Sequence, residues 1–244
     1  MNMRIKFAPI MKMLIVTVVV ALAIILISNW FKSFSDSSFL KENSWLLATA
    51  VHIPQFLIPF VIILFITRGK ISSYGFNTKE NPPIFTHKRM LLLGVAFGLF
   101  FSLRYIPQII RNAPISIATP VTFFSVVGNM AFQWIVVGVS EETMFRGLIQ
   151  TYLMKNLEGN VQMLGHNLHI GTVIGAIFWG VFHFINILIM PLGPVIFYVI
   201  LTTAIGFAMG YAYQRTGSLL TTIIVHNTIF GVPLTIGYIL YWLL

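Results

Sequence analysis

Glu141 and Glu142 are adjacent and directly extend an apolar run. Ionisable groups at membrane depth are expensive and usually face a bundle interior. Arg146 follows Glu142 by four residues, so on a helix the two share a face and can pair; near a helix end the arginine can also snorkel. Glu141 points about 100° away from that face. A structural ion pair thus explains Glu142 and Arg146 but leaves Glu141 as a carboxylate without a cation, the environment of a general base. His183 lies inside the apolar stretch Ala176–Met190, and His226 lies inside the last apolar segment, in Ile223-Ile224-Val225-His226-Asn227. Two histidines on separate helices and a glutamate pair on a third can converge in a bundle core. Glu141, His183 and His226 are also a familiar zinc set, with water as fourth ligand.

The remaining histidines carry weaker signals. His52 sits in an apolar run without an acidic partner nearby in sequence, which reads as structural packing. His166 and His169 have i, i+3 spacing in the polar stretch Lys155–His169, where a surface loop is the simpler reading than a metal site. His87 lies in a basic loop and is given no role.

The composition says what positions these groups. Of 244 residues, 57% are hydrophobic and only 9% are charged, against about 25% charged in a soluble domain. That excludes an ordinary soluble enzyme and a disordered chain. There is no cysteine, so disulfides, a thiol nucleophile and cysteine-ligated metal are excluded. The net charge of +9 points to anionic lipid rather than nucleic acid, because the basic residues fall mainly between apolar runs. Those runs are Met13–Ile27, Trp45–Thr67, Met90 to about Leu103, about Val121–Val139, Thr172–Met190, Val195–Tyr213 and Leu219–Leu244. They are continuous rather than alternating, which argues against a transmembrane barrel. Backbone groups in lipid must be satisfied within the segment, so the runs are read as helices. Gly231 and Pro233 can split the last one. The expected fold is all-α: a polytopic membrane helix bundle with seven or eight transmembrane helices.

Ser28, Asn29, Trp30 and Phe31 follow the first run, with no small-residue cleavage site, so it reads as a retained helix rather than a secretory signal. Arg4, Lys6 and Lys12 precede it; Arg68, Lys70, Lys79, Lys88 and Arg89 crowd the second connection against Glu80 alone. The first connection nearly balances Lys32 and Lys41 against Asp36 and Glu42. The positive-inside rule then puts the N-terminus in the cytoplasm. Lys155 and Arg215 agree with this; Arg104 and Arg111 oppose it. The linker Arg68–Arg89, broken by Gly75, Pro82 and Pro83, divides the chain into 1–89, two peripheral helices with the basic linker, and 90–244, the bundle that holds the site. Ending the fourth run near Val139 places Glu141 near the cytoplasmic end of its helix, with access from that side.

Glu141-Glu142-x-x-x-Arg146, then His183 in an aromatic-rich helix, then Gly210-Tyr211-Ala212-Tyr213-Gln214-Arg215-Thr216-Gly217-Ser218-Leu219 leading to His226, resembles the CAAX protease and bacteriocin-processing (CPBP, or Abi) family. These are intramembrane proteases related to the type II CAAX prenyl endopeptidase. The resemblance covers about Val121–Phe230. Two positions depart from it. The family's Phe-x-x-x-His has Trp179 in its first place, and Phe230 stands where the last motif has asparagine four residues after the histidine. Asn227, one residue after His226, or Asn186, three after His183, can be recruited in its stead; only Asn186 keeps its histidine's side of the helix.

The resemblance implies peptide-bond hydrolysis in or at the membrane. In that reading Glu141 and His183 activate a water, Glu142 and Arg146 hold the helix end, and His226 with Asn186 or Asn227 stabilises the oxyanion. It favours a metal-free reaction, with zinc on Glu141, His183 and His226 as the alternative. The expected partners are membrane lipids and a peptide, lipidated or membrane-protein substrate, with no nucleic acid; sequence does not reach the oligomeric state. A short, Lys-rich, very apolar chain reads as bacterial and sited in the cell membrane, where pheromone or bacteriocin processing, or self-immunity, is the expected role. The competing classes are a non-catalytic scaffold or regulator of the same fold, which Phe230 favours, and a small transporter with the polar cluster as its ion path. No repeat between halves supports the transporter.

Overall fold

A computed structural model describes residues 7–34, 37–80, 82–117 and 120–244. Arg4, Lys6 and Asp36, used in the charge argument, lie outside the described residues. Seven helices are long and apolar enough to cross a membrane: α1 (Phe7–Lys32), α2 (Trp45–Thr67), α3 (His87–Ile110), α4 (Phe123–Asn156), α5 (Ile170–Leu188), α6 (Leu192–Thr216) and α7 (Leu219–Leu243). The chain is a multi-pass, all-α membrane bundle.

The last apolar run is one helix, not two, because Pro233 is accommodated within α7. The fourth run does not end near Val139. α4 continues through its polar stretch to Asn156, which puts Glu141 near mid-span rather than at a helix end. The continuation is possible because the polar residues there are buried among neighbouring helices. Thr143 to Gln150 are buried without exception. The surface loop expected around His166 and His169 is instead an antiparallel hairpin of β1 (Asn160–Met163) and β2 (His166–His169). His169 ends it as the cap of α5, its Nδ1 accepting the Gly171 N–H at 3.0 Å. Burial holds the His169 ring below its ordinary pKa, which keeps that nitrogen free to accept.

α2 is not peripheral. It runs alongside α4, with the Trp45 ring against Gly128 near one end and His52 against Phe132 in T-shaped contact at 5.0 Å. The linker after α2 folds back under the bundle. Gly75, with φ of +91°, fits against Tyr213 and Leu219 where a Cβ would meet the Tyr213 hydroxyl at 2.7 Å. Its carbonyl accepts the Leu219 N–H at 2.8 Å. α5 and α6 form an antiparallel pair in which Gly206 meets Ala176 and Gly210 meets Thr172. α3 and α7 lie parallel, with Gly94 against Thr228 and Gly98 against Val232, the small-residue contact by which helices approach closely in lipid.

At Gly98 a Cβ would lie 2.6 Å from the Val232 Cβ and 3.0 Å from the Thr228 carbonyl. Gly98→Leu should therefore force α3 from α7 at a cost of about 1–3 kcal/mol. The thermal unfolding midpoint in detergent should fall measurably; an unchanged midpoint would contradict this packing.

Candidate active site

The site is assembled around Glu142 and Arg146. Glu142 has no exposed surface and Arg146 only 2%. Arg146 donates from Nη1 to Glu142 Oε1 at 3.0 Å, and His226 on α7 places Nδ1 2.9 Å from the same oxygen. A carboxylate only accepts, so His226 Nδ1 is the protonated nitrogen, and Nε2 turns toward Glu141 at 4.0 Å from Oε2. The i, i+4 pairing expected from sequence is thus present, with a histidine added to it.

Glu141 is on another face and retains 13% side-chain exposure. Its Oε2 accepts the Trp179 indole N–H at 2.7 Å. The same indole stacks its face on Arg146, whose Cζ lies 4.2 Å from the ring centre. Trp179 therefore joins the two carboxylate environments, which the phenylalanine of the family motif cannot do for want of a donor. His183, one turn further, bonds through Nδ1 to the Trp179 carbonyl at 2.8 Å. That carbonyl accepts only, so Nε2 is the ring's remaining nitrogen. His52 on α2 is held the same way, Nδ1 to the Ala48 carbonyl at 2.7 Å, and presents Nε2 3.6 Å from Glu141 Oε1. Sequence reasoning missed His52 because its acidic partner is distant along the chain.

A cavity of about 170 Å³ opens onto this cluster, lined by Glu141, Trp179, His183, Asn186 and His226, together with Gln133, Val137, Tyr198, Thr202 and Phe230. Of the two asparagines expected as amide donors, only Asn186 is on this wall. Asn227 is committed elsewhere: its Oδ1 accepts the Gly138 N–H at 2.8 Å and its Nδ2 donates to the Trp134 carbonyl at 2.9 Å. The reason lies in α4, which widens into a π-helical turn over Phe132–Val136. Such turns release backbone groups from the helix ladder and recur at functional sites. Asn227 satisfies the released pair across the helix interface. Gln133 lies on that widened turn and faces the cavity; a polar residue inside the run Val121–Val139 was the signal for it.

The zinc alternative is tested by the same geometry. Among the described residues no three His, Cys, Asp or Glu side chains group as a metal ion requires. His226 Nε2 and Glu141 Oε2 stand 4.0 Å apart, and Glu141 Oε2 is already bonded to Trp179. As they stand, these side chains do not form a closed three-ligand metal cage.

A family model described as Rce1-like, type II CAAX prenyl endopeptidase Rce1-like, matches residues 122–230. Over these residues the chain is similar to the CPBP/CAAX protease family. No curated protein and no solved structure matches the chain. The matched segment carries every residue of the cluster except His52, so α2 adds one imidazole to what the family segment supplies.

Trp179→Phe keeps an aromatic packed on Arg146 but removes the indole N–H donated to Glu141 Oε2. If that bond aims the carboxylate, peptidase activity should fall by about 10-fold or more, since one hydrogen bond to a charged group is worth about 1.5–3 kcal/mol. The unfolding midpoint should move little. Full activity in this variant would show the bond to be incidental.

Proposed function

We propose that the chain is a glutamate-dependent endopeptidase of the membrane, with Glu141 as the base that activates water. The observation that carries this reading is the split between the two adjacent glutamates. Glu142 is buried and holds both Arg146 and His226 on its Oε1, whereas Glu141 faces the cavity with His52, His183 and His226 around it. A free carboxylate oxygen on a cavity can take a proton from water at the moment of attack; a carboxylate locked to a guanidinium cannot.

In the proposed reaction a water held between Glu141 and His183 attacks the peptide carbonyl carbon, and its proton passes to the Glu141 carboxylate. The carbonyl oxygen becomes an oxyanion, and the peptide C–N bond breaks as that oxyanion collapses. The proton held on Glu141 moves to the departing amine. Asn186 and Gln133 are the cavity amides able to donate to the oxyanion, and one such donor is typically worth about 3–4 kcal/mol. His226 donates there when its ring carries both protons, a charge the Glu142 carboxylate at Nδ1 can balance. Phe230 withholds an amide at the family's position, and Asn186 supplies one from the facing helix.

The substrate in this proposal is a membrane-associated peptide or protein. The role is peptide pheromone or bacteriocin processing, or self-immunity, in a bacterial cell membrane. Membrane lipids are the surrounding partner, and no cofactor is required. The family's association with CAAX-type proteolysis supports the reaction class.

Glu141→Gln should abolish cleavage, a loss of at least about 10²–10⁴-fold, at unchanged expression. Secreted and membrane peptides compared by mass spectrometry between wild-type and variant cells should differ in at least one trimmed product. Identical profiles at equal expression would overturn the protease reading in favour of a scaffold.

A further inference from the structure

We propose that His52 is a positioning residue of the active site: it fixes the Glu141 carboxylate from α2, so the matched segment 122–230 does not hold a complete site by itself. The proposal deepens the protease reading and rests on it. A histidine in a membrane span costs more than a leucine or phenylalanine of similar packing value, and ionisable residues at that depth mark working sites. The neighbours of His52 on α2 show the contrast. Ile53, Phe56 and Leu57 line an apolar groove between α2 and α4, and Ile53 and Leu57 are about half exposed. The imidazole in the same wall reaches Glu141 on α4, and its side chain retains 15% exposure.

The ring is fixed independently of Glu141. Its Nδ1 donates to the Ala48 carbonyl at 2.7 Å, and its plane meets the Phe132 ring edge-on at 5.0 Å. Phe132 begins the π-helical turn of α4. A carbonyl only accepts, so Nδ1 commits its hydrogen there, and Nε2 is the atom turned to Glu141 Oε1, 3.6 Å away. At that distance the pair is an ionic contact rather than a closed hydrogen bond. Catalytic contacts are often this long without substrate and tighten in its complex.

The last torsion of a glutamate is soft, because a terminal sp³–sp² bond has broad minima. Trp179 holds Oε2 at 2.7 Å, and one hold leaves the carboxylate free to swivel about that bond. A second hold, on Oε1, fixes its plane. A carboxylate oxygen has two lone pairs, so Oε1 keeps one for the proton that water gives up. The two holds come from different helices, α2 and α5, and neither consumes the cavity-facing lone pair. A ring that served only to pack on Phe132 would need no nitrogen aimed at a carboxylate, and the aimed Nε2 separates the two roles.

The test uses a synthetic precursor of the peptide that wild-type cells trim and Glu141→Gln cells do not, cleaved by purified protein in detergent. His52→Phe keeps a ring against Phe132 and removes both nitrogens. His52→Gln puts an amide nitrogen near the place of Nε2. The expected result for His52→Phe is a fall in kcat of about 10- to 100-fold at nearly unchanged KM and unfolding midpoint, because a misplacement of about 1 Å is enough for such a loss. His52→Gln should recover much of it. His52→Phe as fast as the unaltered protein would overturn the proposal, and so would His52→Gln no faster than His52→Phe. If His52→Phe does not fold, nitrogen NMR spectra of the histidine rings in wild-type and Glu141→Gln protein decide. The His52 Nε2 signal, assigned by its absence in His52→Gln, should move; an unmoved signal would overturn the proposal. Wild-type cells that trim nothing relative to Glu141→Gln would overturn the protease reading and the positioning role with it. A working protease indifferent to His52→Phe would overturn the positioning role alone.

Discussion

A guanidinium buried to 2% exposure at membrane depth cannot stand without a counter-charge, and that single requirement organises the site. Glu142 meets it from one turn away, at 3.0 Å. The pair costs more to desolvate than an apolar substitute would, yet breaking it after burial leaves an uncompensated charge worth about 3–5 kcal/mol. His226 joins the same carboxylate oxygen from α7, and Trp179 covers the guanidinium from α5. Three helices are thereby fixed to one another by polar contacts that have few alternatives inside a bilayer. Glu141, on the neighbouring face, inherits a rigid frame without having to take part in it. Adjacent residues of one type thus come to have unlike duties through helical geometry alone.

Around that frame the protein departs from regular helix beside the cavity. The π-helical turn at Phe132–Val136 brings Gln133 to the cavity, and the backbone groups it releases are met by Asn227 of α7. The widening of α4 and the position of α7 are coupled through one amide. Span α2 closes the other side. Between it and α4 lies an apolar groove of about 370 Å³ with His52 in its wall, so the imaging of Glu141 by imidazoles from both sides depends on helices far apart in the chain.

Much of this was legible in the sequence, and the remainder was not for physical reasons. Glu142 with Arg146 is a pattern at helical spacing, which one chain segment reveals by itself. Seven apolar runs of spanning length declare seven helices, and the split that Gly231 and Pro233 left open does not occur, because α7 carries Pro233 within it, as membrane helices can when the freed backbone groups are satisfied by their surroundings. The end of α4 was misjudged because polar residues buried by other helices look, in sequence, like a helix emerging into water; Glu141 was consequently placed near the cytoplasm. His52 could not be recognised because its acidic partner belongs to α4. Trp179 looked like a conserved-in-kind aromatic, and only the position of its N–H shows that the indole, rather than the ring alone, matters. Asn227 looked like a displaced oxyanion donor, and the demand of a π-helical turn for side-chain partners cannot be read from residue types.

The central claim is that one glutamate of the pair holds the bundle together and the other is held by it. The most direct measurement is the thermal unfolding midpoint of purified Glu142→Gln and Glu141→Gln, side by side in the same detergent. The account predicts a large fall for Glu142→Gln, equivalent to about 3–5 kcal/mol from the orphaned arginine, and a midpoint for Glu141→Gln close to that of the unaltered protein. Equal losses, or a larger loss at Glu141, would contradict it.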